Sequence, residues 1–185
     1  MKNILLLGLS VALLTSCSQN QNPKFDKNQE SVKKWFELWE IEDVNSLSEM
    51  VSEDIEWQGA AYGSEIIKTK ADVIKYIDAW HGAMESIKYT PDNFLPGVDP
   101  ETNLPNGSVR TYGTWTGINS ASGKSFKVRF YHTFDFNDEG QIINGADYGD
   151  ATGVYLAVAP DLSTSTSDSI SIDSNDQGTT SEDNE

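Results

Sequence analysis

The sequence predicts an α+β domain in which helices come first and a long antiparallel meander follows. Three observations carry this reading. Up to about residue 84 the apolar residues recur at helical spacing, and after it they alternate. From Phe126 to Phe136 every second residue is Phe, Val or His, set between Lys127, Arg129, Tyr131, Thr133 and Asp135, which marks a strand with one apolar face. Turn chemistry at residues 119–125 and at Asn137-Asp138-Glu139-Gly140 divides the alternating stretches.

The elements follow in order. Val32, Trp35, Phe36 and Trp39 stand at i, i+3, i+4 and i+7, the apolar stripe of an amphipathic helix. Asp43 is a good N-cap for a short second helix with Val44, Leu47 and Val51 on its buried side. Residues 54–59 alternate, with Ile55 and Trp57 on one face, as a short strand does. Thr69-Lys70-Ala71-Asp72 resembles a capping box with Asp in the place of Glu or Gln, opening a third helix that buries Val73, Ile77, Trp80 and Met84. Residues 86–90 form a strand. Residues 91–108, rich in Pro, Gly and Asn and ending in Asn106-Gly107, read as a loop. Residues 109–117, 126–136 and 141–150 are the strands of the meander. Residues 153–159 either extend the last strand or begin a short closing segment.

The flanks differ from this core. Lys2 and Asn3 precede an apolar run from Ile4 to Leu14, shorter than the roughly 20 residues of a membrane-spanning helix. The run ends in Leu14-Thr15-Ser16-Cys17, which resembles the lipobox of bacterial lipoproteins, and Cys17 is the only cysteine of the chain. That resemblance implies a signal peptide over residues 1–16, lipidation of Cys17 and membrane attachment through the lipid. Ser18 stands where an Asp would favour inner-membrane retention, so the expected location is the cell envelope, on the outer membrane facing the periplasm. Residues 17–28 read as the lipidated cysteine and a flexible tether, residues 29–160 as the domain, and residues 161–185 as a disordered tail. The tail carries seven acidic residues and no basic one. With 13 Lys and Arg against 29 Asp and Glu, the formal net charge is −16, which argues against nucleic acid as a partner. With two histidines and one cysteine in the chain, a zinc site is not expected, and no cofactor is implied.

The order of elements resembles the SnoaL-like polyketide cyclases of the nuclear-transport-factor-2-like superfamily over about residues 30–155. Three stretches carry the likeness: the opening helix followed by Asp54-Ile55-Glu56-Trp57, the helix ending in Ala79-Trp80-His81-Gly82-Ala83-Met84, and Asn137-Asp138-Glu139-Gly140-Gln141-Ile142 followed by Asp147-Tyr148-Gly149-Asp150. The resemblance implies a cone-shaped, curved antiparallel sheet packed against three N-terminal helices, with an apolar pocket on the concave side. It also implies a homodimer joined through the convex sheet, against which the charged 127–135 face counts.

Asp147 matches the catalytic aspartate of the family's terminal D-Y-x-D. In a dry pocket such a carboxyl could shuttle a proton; as a bland strand-end residue it would cap a turn or sit in water. His132 lies on the apolar face of the preceding strand and is either its acid–base partner or a satisfied core histidine. If Phe136 pairs with Gln141, Asp147 and His132 are diagonal neighbours on one face. A one-residue shift at Gly140 would instead send Asp147 to the opposite face. His81, near a helix end, reads as a dipole-facing residue. Trp57, Tyr62, Trp80, Tyr112 and Phe130 are the candidate lining of a pocket for a flat apolar ligand. The Arg-x-Asp pair of limonene-epoxide hydrolases is missing around Arg110–Trp115, and the ketosteroid-isomerase set is not evident. The expected function is therefore an envelope lipoprotein that binds a small apolar ligand or partner. An acid–base enzyme of cyclase or isomerase type using Asp147 and His132, or a structural envelope protein, are the alternatives.

Overall fold

The structure, a computed structural model, describes residues 22–161. The expectations for the signal segment, for Cys17 and for the tail after Asp161 fall outside the described residues.

The chain runs α1 (Pro23–Glu40), α2 (Val44–Glu49), β1 (Val51–Gln58), β2 (Ile66–Ile67), α3 (Lys70–Ala83), β3 (Met84–Val98), β4 (Pro105–Asn119), β5 (Ser125–Phe136), β6 (Ile142–Gly149) and α4 (Ala151–Val158). The fold is α+β, with a curved six-stranded sheet in the order β2-β1-β6-β5-β4-β3. All neighbours are antiparallel except β1 and β6, which run parallel.

Helix α1 starts six residues before the expected domain boundary at Gln29. Its first turn is set by Asn22, whose side chain accepts from the Lys24 N–H at 2.9 Å, and by Pro23, whose fixed φ suits the start of a helix. Asn28 is buried and donates to the Gly107 carbonyl at 2.8 Å, so residues 23–28 belong to the domain rather than to a tether. The reason the sequence hides this is physical: the first turns are tied down by polar caps, with Phe25 as their one large apolar contact. Further along, Val32, Trp35, Phe36 and Trp39 turn onto the sheet and are each at most 8% exposed. Burial of Val32 and Phe36 alone contributes about 1.5–3 kcal/mol apiece.

Asp43 caps α2 through the Ser46 N–H at 3.0 Å, and Thr69 caps α3 through the Asp72 N–H at 3.2 Å. Val51 is buried as expected, but it opens β1 rather than closing α2.

The largest correction concerns residues 91–108, which are not a loop. β3 continues to Val98 and β4 begins at Pro105, leaving a turn over residues 99–104. Pro91 and Pro96 are accommodated because β3 is the sheet edge, where a missing N–H breaks no ladder, and the pairing shifts near both of them. Asp99 closes the turn, its Oδ1 accepting from the Glu101 and Thr102 N–H groups, with Asn103 in the left-handed region at φ 57°. Residues 153–159 extend no strand: residues 153–158 fall in α4, whose C-cap is Ala159 and whose start is capped by Asp150 through the Gly153 N–H at 2.8 Å. Val154 and Val158 of α4 pack on Met84 and Ile87, forming a second apolar cluster beside the main core.

Candidate functional site

The concave face of β5 carries Phe130, His132 and Phe134, all buried. Which residues of β6 meet them depends on register. Phe136 pairs with Ile142, one residue away from the pairing considered for the sequence, and Gly140 at φ 87° supplies the turn that makes this shift. A bulge between Asp135 and Phe136 then adds a second one-residue shift, so that Asp135 pairs with Asn144 and His132 with Asp147. Either shift alone would turn Asp147 outward; together they restore its face and set it directly opposite His132.

The concave positions of β6 around Asp147 are Gly145 and Gly149. A Cβ at Gly145 would overlap the Trp57 ring, and one at Gly149 would overlap the Phe130 ring. The sequence Gly145-Ala146-Asp147-Tyr148-Gly149 thus lets two aromatic rings lean over the strand and wall in one carboxyl group.

Asp147 is 7% exposed and His132 4%. Asp147 Oδ1 lies 2.7 Å from His132 Nδ1. Trp57 Nε1 donates to Asp147 Oδ2 at 3.0 Å and the Tyr76 hydroxyl donates to the same oxygen at 3.2 Å. On the far side of the imidazole, Trp115 Nε1 donates to His132 Nε2 at 2.9 Å. An indole N–H can only donate, so Nε2 is the acceptor and the ring proton sits on Nδ1, from which it is given to Asp147. The network assigns this tautomer; the imidazole is neutral while the Trp115 bond holds. Burial, and next the charge of Asp147, push the Tyr76 hydroxyl well above the ordinary tyrosine range, so it remains a donor at neutral pH.

This pair borders an apolar cavity under the helices. Trp35, Phe36 and Trp39 of α1 form one wall, Trp57 of β1 with Tyr76 and Trp80 of α3 a second. Trp115 of β4 and Phe126, Val128 and Phe130 of β5 form the floor, with Ile87 of β3 at the side. All five tryptophans of the chain line it. Trp80 also packs against Tyr155 of α4 at 4.9 Å, which ties the cavity wall to the last helix. Trp39 Nε1 is buried without a hydrogen-bond partner, as are both ring nitrogens of His81, whose ring lies 4.8 Å from that of Trp39. Burial holds His81 below the ordinary histidine value, so it stays neutral at pH 7.

Of the candidate residues, Asp147, His132, Trp57, Trp80 and Phe130 meet at this cavity. Tyr62 and Tyr112 do not. Tyr62 is 96% exposed in the segment after β1, and Tyr112 lies on the convex face, stacked on Tyr131 at 4.7 Å. Strand parity could have excluded Tyr112, since Trp115 points inward and position 112 is an odd number of residues away. Parity of the helical kind could likewise have found Tyr76, which shares the stripe of Val73, Ile77 and Trp80. No group of three or more His, Cys, Asp or Glu that could hold a metal exists among the described residues.

The fold has many solved neighbours. An NTF2-like protein of unknown function from Burkholderia pseudomallei K96243 matches with TM-score 0.60 and 17% identity, covering 71% of this chain and 97% of that one. A putative SnoaL-like polyketide cyclase from Jannaschia sp. CCS1 matches with TM-score 0.61 and 16% identity, covering 76% and 97%. A protein of ketosteroid-isomerase-like fold from Catenulispora acidiphila DSM 44928, in complex with trimethylamine, matches with TM-score 0.57 and 16% identity, covering 70% and 92%. At these identities the likeness is one of fold. No curated protein matches the sequence. The model of the SnoaL-like domain matches residues 32–144, which span α1 through the start of β6 and so most of the cavity wall; by that match this chain belongs to the SnoaL-like domain family.

Proposed function

We propose that this protein is a membrane-anchored envelope lipoprotein whose SnoaL-like domain holds a small, largely apolar ligand in the concave cavity without turning it over. The observation that supports binding over catalysis is the saturation of the His132–Asp147 pair. A general base must offer a lone pair to the substrate proton. The Nε2 lone pair of His132 is occupied by Trp115, and Asp147 already accepts from three donors. What remains for a ligand is the aromatic lining. The trimethylamine bound in the Catenulispora neighbour is a compact molecule of the size such a hollow admits.

Native mass spectrometry of the protein released gently from membranes tests this reading. A stoichiometric adduct of low mass, lost on denaturation and lost again in Trp35→Ala, is the expected result. An empty cavity under every condition, with Trp35→Ala indistinguishable from wild type, would refute it.

The anchor is proposed from the sequence: the apolar run, the lipobox-like Leu14-Thr15-Ser16-Cys17 and the lone cysteine. Each buried methylene of an acyl chain adds about 0.8 kcal/mol of membrane affinity. Outer-membrane attachment facing the periplasm is the placement we favour, since Ser18 follows the cysteine. Labelled palmitate should enter the wild-type chain and not Cys17→Ser, and the variant should leave the membrane fraction.

An acid–base reading of cyclase or isomerase type retains one supporting feature: Asp147, His132 and the Tyr76 hydroxyl converge at a single cavity. It requires Trp115 to release Nε2. Turnover of an enolisable ketone that rises in Trp115→Phe would favour it, and activity absent from both proteins would dismiss it.

A further inference from the structure

We propose that the cavity selects a compact organic cation, an alkylated ammonium compound of about five to seven heavy atoms, over a neutral molecule of the same shape. This deepens the binding reading above and rests on it.

The first argument is charge balance. Asp147 is buried, and its partners His132, Trp57 and Tyr76 are neutral donors. The Trp115 bond to Nε2 keeps the imidazole from being the counter-ion. Among the described residues, no Lys or Arg lines the cavity. Hydrogen bonds from neutral groups spread a carboxylate's charge but do not cancel it, so an ionised Asp147 leaves the hollow with a negative charge that no neighbouring cation balances, in surroundings that screen it poorly. A chain of net charge −16 adds a long-range bias in the same sense.

The walls supply the second argument. Indole faces are the best aromatic partners of a cation, and all five tryptophans are here. Trp57 and Trp115 have spent their N–H groups on the Asp147–His132 pair, so to a ligand they present ring surface.

Chemistry and size then narrow the cation. A carboxylate offers about four lone-pair sites, and three donors already use them, which leaves little directional bonding for a metal ion or a primary ammonium. An alkylated ammonium spreads its charge over methyl groups, is weakly hydrated and needs no directional bond. The cavity volume is about 50 Å³, against the roughly 10–15 Å³ that one water needs. A space of this size suits a compact ligand better than a multi-ring one.

The test compares choline and tetramethylammonium with 3,3-dimethylbutan-1-ol, in which carbon replaces the charged nitrogen of choline. Binding to the full chain in detergent is followed by tryptophan fluorescence and titration calorimetry. Choline is expected to bind at least about tenfold more tightly than the neutral alcohol, a gap equal to about 1.4 kcal/mol. Asp147→Asn, which keeps an acceptor for His132, should shrink the gap to within about twofold. If the alcohol binds as tightly as choline to the wild-type chain, charge selection is refuted while small-ligand binding stands, and this comparison needs no variant to fold. If none of the three binds and native mass spectrometry finds no adduct, the binding reading fails with it.

Discussion

The two faces of β4, β5 and β6 are built from alternating residues of the same three strands, yet they share almost no chemistry. On the concave side Trp115, Phe130, His132, Phe134 and Asp147 lie under the helices, and every hydrogen bond of the buried pair is made to another side chain. On the convex side Tyr112, Tyr131 and Tyr148 stand in a row across the three strands, with ring spacings of 4.7 and 5.5 Å. Beside them Arg129 pairs with Asp92 at 2.5 Å in the open. One face is over-determined, since each ring there touches several others; the other is a set of pairwise contacts in water. The lesson is that alternation of period two settles which residues face inward, while the helices above decide what facing inward is worth.

That contrast can be broken most severely at Phe134. It is fully buried and packs edge-on against Trp35, Phe36 and Trp57. Phe134→Ala is expected to cost about 3–5 kcal/mol in denaturant unfolding. Gly145→Ala attacks the same face by adding matter, driving a methyl group into the Trp57 ring, and should cost about 1–3 kcal/mol. Tyr131→Ala on the convex face loses two partly exposed aromatic contacts and should cost less than about 1 kcal/mol. Should Tyr131→Ala prove as costly as Phe134→Ala, the convex row would be part of a packed interface and the contrast would collapse.

The smallest effect sharpens the comparison through pH. Burial lowers the pKa of His81 from the ordinary 6.5, so the unfolded chain takes up a proton before the folded one does. The contribution of the neutral ring is full above about pH 6.5 and declines as pH falls toward the folded value. Melting temperature should therefore drop between about pH 7.5 and 5.5, and His81→Phe, which removes two buried unpaired nitrogens, should flatten that slope. An unchanged slope in His81→Phe would assign the acid sensitivity to other groups.

Much of the concave face was legible in the sequence because it obeys simple periods. The stripe of Val32, Trp35, Phe36 and Trp39 and the alternation from Phe126 to Phe136 need only helical and strand geometry to be understood. The edge strand was not legible, because Pro91, Pro96 and Gly97 are turn residues by local preference and become strand residues only where no neighbour requires their N–H. Nor was the pairing of His132 with Asp147. It depends on two shifts of opposite consequence, one at a turn and one at a bulge, and the local sequence marks only the first with a glycine. Tyr62 and Tyr112 illustrate a different failure, in which residue type suggested a pocket and position denied it.

The early start of α1 has a consequence for geography. With Asn22 capping α1, only five peptide steps lie between the start of the domain and Cys17. At about 3.3–3.6 Å per step they reach no farther than about 18 Å. If Cys17 carries lipid, the protein is moored on a short leash, and the end of the molecule bearing Lys24 and Lys27 is held close to the headgroups. Such a domain would sample the solution within a molecular diameter of the bilayer and little beyond.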